Sequence, residues 1–149
     1  MISVHIINGP NLNLLGKREV DVYGDRSFDS FLIDLQNNFP GLSITYAQSN
    51  VEGELVTMIQ EAGYQSDFIV LNAAAYSHTS IAIADAVAAV PARTIGVHIS
   101  NIYQREKERH IDLLAKSCEA CLFGFGLEGY RLALEFIRSQ PDSSASPDR

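Results

Sequence analysis

The sequence predicts an α/β domain in which a five-stranded parallel sheet lies between two layers of helices. Three observations support this fold class: five short apolar runs recur along the chain, helical patterns separate them, and most of the runs are apolar on both faces. The 149 residues, 46% of them hydrophobic, are enough for one core and too few for two ordinary domains. We therefore expect a single domain over residues 1–139.

The strand-like runs are too continuously apolar, in most cases, for half-exposed strands. In chain order they are Val4–Ile7, Ser43–Tyr46, Phe68–Leu71, Thr94–Ile99 and Cys118–Phe123. Strands that alternate with helices pair in parallel and are covered on both faces. The count of five favours a flavodoxin-like three-layer sandwich over a barrel.

Five helices are predicted between and after these strands. The first keeps one apolar stripe at helical spacing, formed by Phe28, Phe31, Leu32, Leu35 and Phe39. The second carries Leu55, Ile59 and Ala62 on one face. The others are expected over residues 80–90, 106–116 and 127–139. Residues 140–149 are rich in Pro, Ser and Asp, so we expect a disordered tail.

The net charge of −7 argues against nucleic acid or an anionic membrane surface as the main partner. An anionic ligand would therefore have to meet a local basic cluster. We recognise neither an apolar run long enough to span a membrane nor a signal sequence, so we expect a cytoplasmic protein.

The two cysteines, Cys118 and Cys121, have a spacing that could suggest a redox pair. Their surroundings look like a strand, on which side chains three apart point to opposite faces. A disulfide between them would then be badly strained, and we predict two structural thiols.

Candidate functional residues follow strands one, three and four, because ligands of such sheets bind beyond the carboxyl ends of the strands. The loop after strand one includes a charged segment between Gly16 and Gly24, which is either a mobile lid or an ordinary surface loop. Two histidines, His78 and His98, follow the other strands. Neither has a Cys or His partner at metal-ligand spacing, so a metal site is not expected. Likewise, no lysine lies in an apolar strand where burial would suit Schiff-base chemistry.

Residues 124–129, Gly-Phe-Gly-Leu-Glu-Gly, match the dinucleotide-binding fingerprint between a strand and a helix. That fingerprint needs a further strand with a ribose-binding acid about twenty residues on. The printed sequence ends first, so we assign these glycines to a tight turn and close helix packing.

Several motifs follow one another in a characteristic order over about residues 2–138. They are Asn8–Gly16 with Arg18-Glu19 and Tyr23-Gly24, Gln48–Leu55, Tyr76–Ser80, Val97–Asn101, Arg105-Glu106 and Gly124–Tyr130. In this combination they closely resemble the type II 3-dehydroquinate dehydratases. The resemblance implies a flavodoxin-like fold, a dodecamer built from trimers, and no metal or cofactor. It also implies anti elimination of water from 3-dehydroquinate to 3-dehydroshikimate through an enolate, in the shikimate pathway or in quinate catabolism.

The resemblance also implies a role for each matching residue. Tyr23 would be the base, His98 the acid, and Asn11 would hold a water against the enolate oxygen. Arg18 and Arg105 would flank Tyr23. The substrate would be bound by Asn72, His78, Arg109, the backbone around Ile99 and Ser100, and Asp85 from a neighbouring subunit.

These roles are physically reasonable. A free tyrosine titrates near pH 10, so a base role at neutral pH needs its pKa lowered to about 7 or 8. A permanently charged arginine about 4 Å away contributes about 4 kcal/mol at an effective dielectric near 20, so two arginines suffice. A histidine near its ordinary pKa can supply the proton at the other end.

The chain departs from the family pattern at several positions. The family commonly has an acid where Gly96 stands, two residues before His98, and loss of that acid would either leave His98 less well oriented or shift its pKa. Phe and Ser are usual at Glu108 and Asp112, and an Arg109–Asp112 pair facing solvent is one way to accommodate the added charge. The usual Pro-Gly or Ala-Gly is replaced by Ala73-Ala74, and the usual Pro is Val20.

Two alternatives to a dehydratase stay open. One is a catalytically weakened relative that binds a quinate-like ligand, which Gly96 and Glu108 favour. The other is a flavodoxin-like signalling or flavin domain, which Asn72 opposes because phosphoacceptor domains need Asp at the end of strand three.

Overall fold

One parallel sheet organises the chain, whose computed structural model describes residues 1–17, 20–23 and 25–142. Its strands are β1 (Ile2–Asn8), β2 (Leu42–Gln48), β3 (Phe68–Asn72), β4 (Arg93–His98) and β5 (Ala120–Phe123). They lie in the order β2-β1-β3-β4-β5, and all four pairings are parallel. The predicted five-stranded parallel sheet is confirmed, and its strand order switches between β1 and β3.

Helices cover both faces of the sheet. They are α1 (Val20–Tyr23), α2 (Phe28–Asn38), α3 (Glu52–Gln65), α4 (Ile81–Ala89) and α5 (Glu128–Arg138). The apolar stripes of α2 and α5 form one core with Val4, Ile6 and Val70 of the sheet. Those of α3 and α4 form the other with Ile69 and Leu71. Both predicted apolar stripes are therefore core-facing.

The fourth predicted helix, over residues 106–116, is wrong. The segment has only two short 3₁₀ turns, Lys107–Arg109 and Ala115–Ser117. Asp112 Oδ1 accepts the backbone N–H groups of Leu114 (2.9 Å) and Ala115 (3.2 Å). A short acidic side chain that binds the amides following it offers the backbone an alternative to helical hydrogen bonds.

The cysteine prediction is wrong in its geometry. Both residues are free thiols, but their sulfurs lie on the same side, both next to Gly96. Cys118 precedes β5, so the alternation of side chains along a strand does not apply to it. The hydrogen bond with Cys121 raises the pKa of the Cys118 thiol.

Strand β5 differs from the expectation of continuous burial. It is an edge strand, and Ala120, Cys121 and Phe123 are exposed in the single chain. The apolar composition of β5 therefore does not indicate burial on both faces in the single chain.

The glycines of residues 124–129 have the predicted roles. Gly124 (φ 91°) and Gly126 (φ 59°) form the turn between β5 and α5 in a left-handed conformation that suits glycine. A Cβ on Gly129 would lie 3.2 Å from Cγ1 of Val97, so this glycine lets α5 approach β4 closely.

Past α5, three residues of the predicted tail are described. Gln140 accepts a hydrogen bond from Arg93 (3.0 Å), and the amino group of Met1 donates to Asp142 (3.0 Å). Residues 143–149 lie outside the described residues, so the tail prediction stays a prediction. Among the helices described, none combines the length and apolar character needed to cross a membrane.

Candidate active site

A cleft opens beyond the carboxyl ends of β1, β3 and β4, next to the switch in strand order. It is lined by Leu12, Asn72, Ala74, His78, His98, Ile99, Ser100, Ile102, Arg105 and Arg109. Seven of these are predicted site residues: Asn72, His78, His98, Ile99, Ser100, Arg105 and Arg109. The cleft therefore lies where we expect the functional residues, after strands one, three and four, and their function stays a prediction.

The floor of the cleft is a buried polar network around Asn72. Its Nδ2 donates to the Tyr130 hydroxyl (2.9 Å), which in turn donates to Asn8 Oδ1 (2.7 Å). Its Oδ1 accepts the N–H of Ala74 (3.1 Å). Burial raises the pKa of Tyr130, so the hydroxyl stays protonated and can donate. Asn72 is therefore fixed in place by the protein before any ligand arrives.

Tyr130 was not identified as a site residue from sequence, because it lies 58 residues from Asn72 in the chain. Its only sequence signal is its place at the end of the Gly124–Tyr130 motif. Gly9 has a related supporting role, since its N–H donates to the Asn72 carbonyl (2.7 Å). A Cβ on Gly9 would lie 2.6 Å from the Ala73 carbonyl oxygen. Glycine at this position therefore lets the loop after β1 pack directly against the end of β3.

Two imidazoles stand side by side in the cleft. The ring centroids of His78 and His98 are 5.7 Å apart, with an interplanar angle of 24°. His78 Nδ1 lies 2.7 Å from the Ile111 carbonyl, which can only accept, so Nδ1 carries the proton and Nε2 is left as an acceptor. Burial lowers the pKa of His78, which favours this neutral form.

His98 has a carboxylate partner. Its Nε2 lies 2.8 Å from Asp112 Oδ2, and the two side chains are only 8% and 12% exposed. The added charge of Asp112 is thus accommodated by His98 and not by the Arg109–Asp112 pair considered from sequence, since Arg109 Nε contacts Glu106 Oε1 at 2.6 Å. Asp112 is turned away because its other oxygen is held by the backbone turn that follows it.

The cleft is locally basic although the chain is acidic overall. Arg105 and Arg109 both line it, and Glu106 contacts both, at 3.8 Å from Arg105 Nε. The hydrogen bond from Arg109 holds the pKa of Glu106 below its usual range. Arg105 also lies 3.5 Å from the Ser100 hydroxyl. Two arginines beside two imidazoles are suited to a small ligand that carries a carboxylate and hydroxyl groups.

The remaining predicted residues are not brought together with this cleft by the described part of the chain. Asn11 is exposed in a left-handed conformation (φ 68°), and its N–H donates to Asn50 Oδ1 (3.0 Å). Asp85 is exposed on α4. Arg18 lies outside the described residues. Tyr23 ends α1, and its side chain lies outside the described residues. Part of the predicted lid also lies outside them, so the lid stays a prediction.

The fold and the cleft together define a flavodoxin-like α/β protein with a basic, histidine-containing site at the topological switch point. A family model, dehydroquinase class II, matches residues 2–138. The chain belongs to the type II dehydroquinase family, which confirms the resemblance predicted from the motifs.

Individual relatives agree with this assignment. The chain is 47% identical over 137 residues to a 3-dehydroquinate dehydratase of Exiguobacterium sp., covering 91% of this chain and 94% of the relative. It is 48% identical over 142 residues to one of Nitrobacter winogradskyi, covering 93% and 90%. The crystal structure of a type II dehydroquinase from Butyrivibrio crossotus superposes with a TM-score of 0.87 at 40% identity, covering 93% of this chain and 98% of that structure.

Proposed function

We propose that this chain is a 3-dehydroquinate dehydratase, a lyase that removes water from 3-dehydroquinate to give 3-dehydroshikimate. The observation that carries the proposal is the cleft in which His78 and His98 stand beside Arg105 and Arg109. The substrate offers a carboxylate to the arginines and hydroxyl groups to the polar floor. Family membership supports the same reaction, in the shikimate pathway or in quinate breakdown.

The proposed elimination is anti, proceeds through an enolate and uses no metal or cofactor. Tyr23 takes the proton next to the ketone, and Arg18 and Arg105 stabilise its phenolate. His98 protonates the departing hydroxyl, so the C–O bond breaks with loss of water. Asn11 holds a water against the enolate oxygen. The burial of His98 supports its proposed role as the acid, because electrostatic interactions of a proton donor are stronger where water is excluded.

The proposed substrate contacts are made by residues of the cleft. Asn72, His78, Arg109 and the backbone around Ile99 and Ser100 would hold the hydroxyls and the carboxylate. The neutral His78 supports this assignment, since its Nε2 is free to accept from a hydroxyl.

We also propose a dodecamer built from trimers, in which Asp85 reaches a neighbouring subunit's cleft. The exposed face of α4 supports it, since Asp85 lies there with Ile81, which is 68% exposed. Light scattering should then give the mass of twelve chains. Asp85→Ala should raise KM while leaving the assembly intact. The cytoplasm is the proposed location, and the free thiols of Cys118 and Cys121 support a reducing compartment.

The site assignment is tested by steady-state kinetics of Tyr23→Phe and His98→Ala on 3-dehydroquinate. Each should lower kcat by at least about 100-fold, because each removes one of the two proton transfers. Tyr103→Phe is the matched control, since Tyr103 is 58% exposed and outside the cleft lining, and it should keep wild-type kcat. Wild-type kcat in either site variant would reject the assigned base or acid. Tight binding without turnover in the wild type would favour the weakened-relative alternative.

A further inference from the structure

His98 receives its carboxylate partner from a segment outside the sheet. Asp112 lies in the irregular stretch between β4 and β5, 14 residues beyond His98. The contact lies behind the cleft, since Asp112 is not among the residues that line its described part. Both side chains are largely removed from water, where charge-assisted hydrogen bonds are strong and well defined.

The carboxylate of Asp112 is itself held in place. While Oδ2 faces His98, Oδ1 accepts the N–H groups of Leu114 and Ala115. Burial alone would raise the pKa of Asp112, but the hydrogen bond and charge of His98 and the two amides lower it below its usual value. The group is therefore an oriented anion at neutral pH.

Gly96 explains why the carboxylate does not come from β4. Residues 96 and 98 of a strand share one face, so an acid at position 96 would stand next to His98. A Cβ at that position would lie 3.1 Å from the Cys121 sulfur and 3.4 Å from the Cys118 sulfur. The two thiols occupy the space in which such a side chain would have to fit.

We propose that Asp112 is the positioning residue of His98, supplied by a segment outside the sheet and not by β4. This inference rests on the proposed function. Asp112 engages Nε2, so Nδ1 is the nitrogen that delivers the proton. When the C–O bond breaks, the Nδ1 proton moves to the departing hydroxyl and water leaves. The ring ends neutral, with its remaining proton on Nε2 donated to Asp112.

Kinetics of Asp112→Ser and Asp112→Asn test the proposal. A serine hydroxyl and an amide oxygen can still accept the N–H groups of Leu114 and Ala115, but neither carries the charge. We expect kcat to fall about 10- to 100-fold, within the range for impaired general acid catalysis, with KM changed less than about 3-fold. Glu61→Gln is the control, because it removes an exposed acid on α3, outside the cleft lining, and should leave both constants unchanged.

The pH profile separates positioning from a purely structural role. A neighbouring carboxylate stabilises the protonated imidazole, so its removal should shift the alkaline limb of kcat to lower pH. Among the residues that the structure describes, the other titratable or charged groups near His98 are His78, Arg105, Arg109 and the two thiols, and none of them is altered in these variants. Wild-type kcat, or a lowered kcat with an unmoved alkaline limb in both variants, would overturn the proposal.

A second measurement keeps this inference distinct from the proposed function. The ¹⁵N spectrum of the imidazoles, recorded without substrate at a pH where the rings are neutral, should show His98 protonated on Nε2 in the wild type and a mixture of tautomers in Asp112→Ser. The same tautomer populations in both proteins would reject the positioning role even if the wild type turns over. If the wild type does not turn over, the proposed function fails and this spectrum alone decides the role of Asp112.

Discussion

Ala74 adopts a backbone conformation that conflicts with its own side chain. Its φ is 52°, a left-handed value at which a Cβ costs roughly 1–2 kcal/mol. The relief of this strain in Ala74→Gly should therefore raise the free energy of unfolding by about 1 kcal/mol. The greater chain entropy of glycine in the unfolded state reduces this gain. Urea unfolding at fixed protein concentration measures the change.

The neighbouring alanine provides the matched control. Ala73 has an ordinary φ of −77°, so Ala73→Gly relieves no strain and should lower the free energy of unfolding by about 0.5–1 kcal/mol. Equal losses in both variants would show that Ala74 is not strained.

At this scale, sequence predicts residues that follow strand ends and misses their partners. Asn72, His78 and His98 could be placed in one cleft because the carboxyl ends of parallel strands meet at one edge. Asp112 could not be paired with His98 from sequence. That contact depends on the turn after Asp112, in which the Asp112 side chain accepts the N–H of Leu114. Tyr130 could not be placed under Asn72, because a helix must first pack across the sheet.

Two glycines within α3 make the packing of that helix on α4 testable. A Cβ on Gly63 would lie 2.3 Å from Cβ of Val90, just past α4, whereas a Cβ on Gly53 would meet nothing within 4 Å. Gly63→Ala should therefore lower the free energy of unfolding by about 1–3 kcal/mol, a typical cost of overpacking. Gly53→Ala should raise it by up to about 1 kcal/mol, because alanine has the better helix propensity.

Thermal and urea unfolding of the two variants measure this difference. Similar decreases in the free energy of unfolding at both positions would mean that α3 requires glycine for its backbone conformation and not for the close contact with Val90. A stabilised Gly63→Ala would contradict the close contact between the end of α3 and Val90.

At the scale of elements, four helices and all five strands could be predicted from their apolar residues. Most of these elements bury those residues in a core, but β5 leaves most of its apolar run exposed at the edge of the sheet. The segment over residues 106–116 misled this reasoning. Its charged residues are good helix formers, yet tertiary hydrogen bonds override that propensity. The N–H of Leu113 donates to the Ser77 carbonyl (2.8 Å), and Ile111 offers its carbonyl to His78.

The whole molecule should lose stability on mild acidification. Burial lowers the pKa of His5 and of His78 in the folded chain. The unfolded chain binds protons at these residues from about pH 6.5 downwards, so it holds more protons and stability falls as the pH drops below that value. The lowered pKa values of Glu106, Asp112 and Glu119 act only below about pH 4.5, as those carboxylates become protonated.

Urea unfolding at pH 7.5 and pH 5.5, at one protein concentration, measures this dependence. His5→Gln keeps a polar group beside Thr45 without the titration and should reduce the loss. A free energy of unfolding that stays constant or rises on acidification would contradict the neutral state of these half-buried histidines.

The most direct measurement is the absorbance of the enone product when the purified chain is mixed with 3-dehydroquinate. We expect absorbance to grow steadily, with one 3-dehydroshikimate formed for each 3-dehydroquinate consumed, and at an unchanged rate when a chelator is present. A bound substrate that is recovered unchanged would contradict a dehydratase and leave the cleft as a binding site.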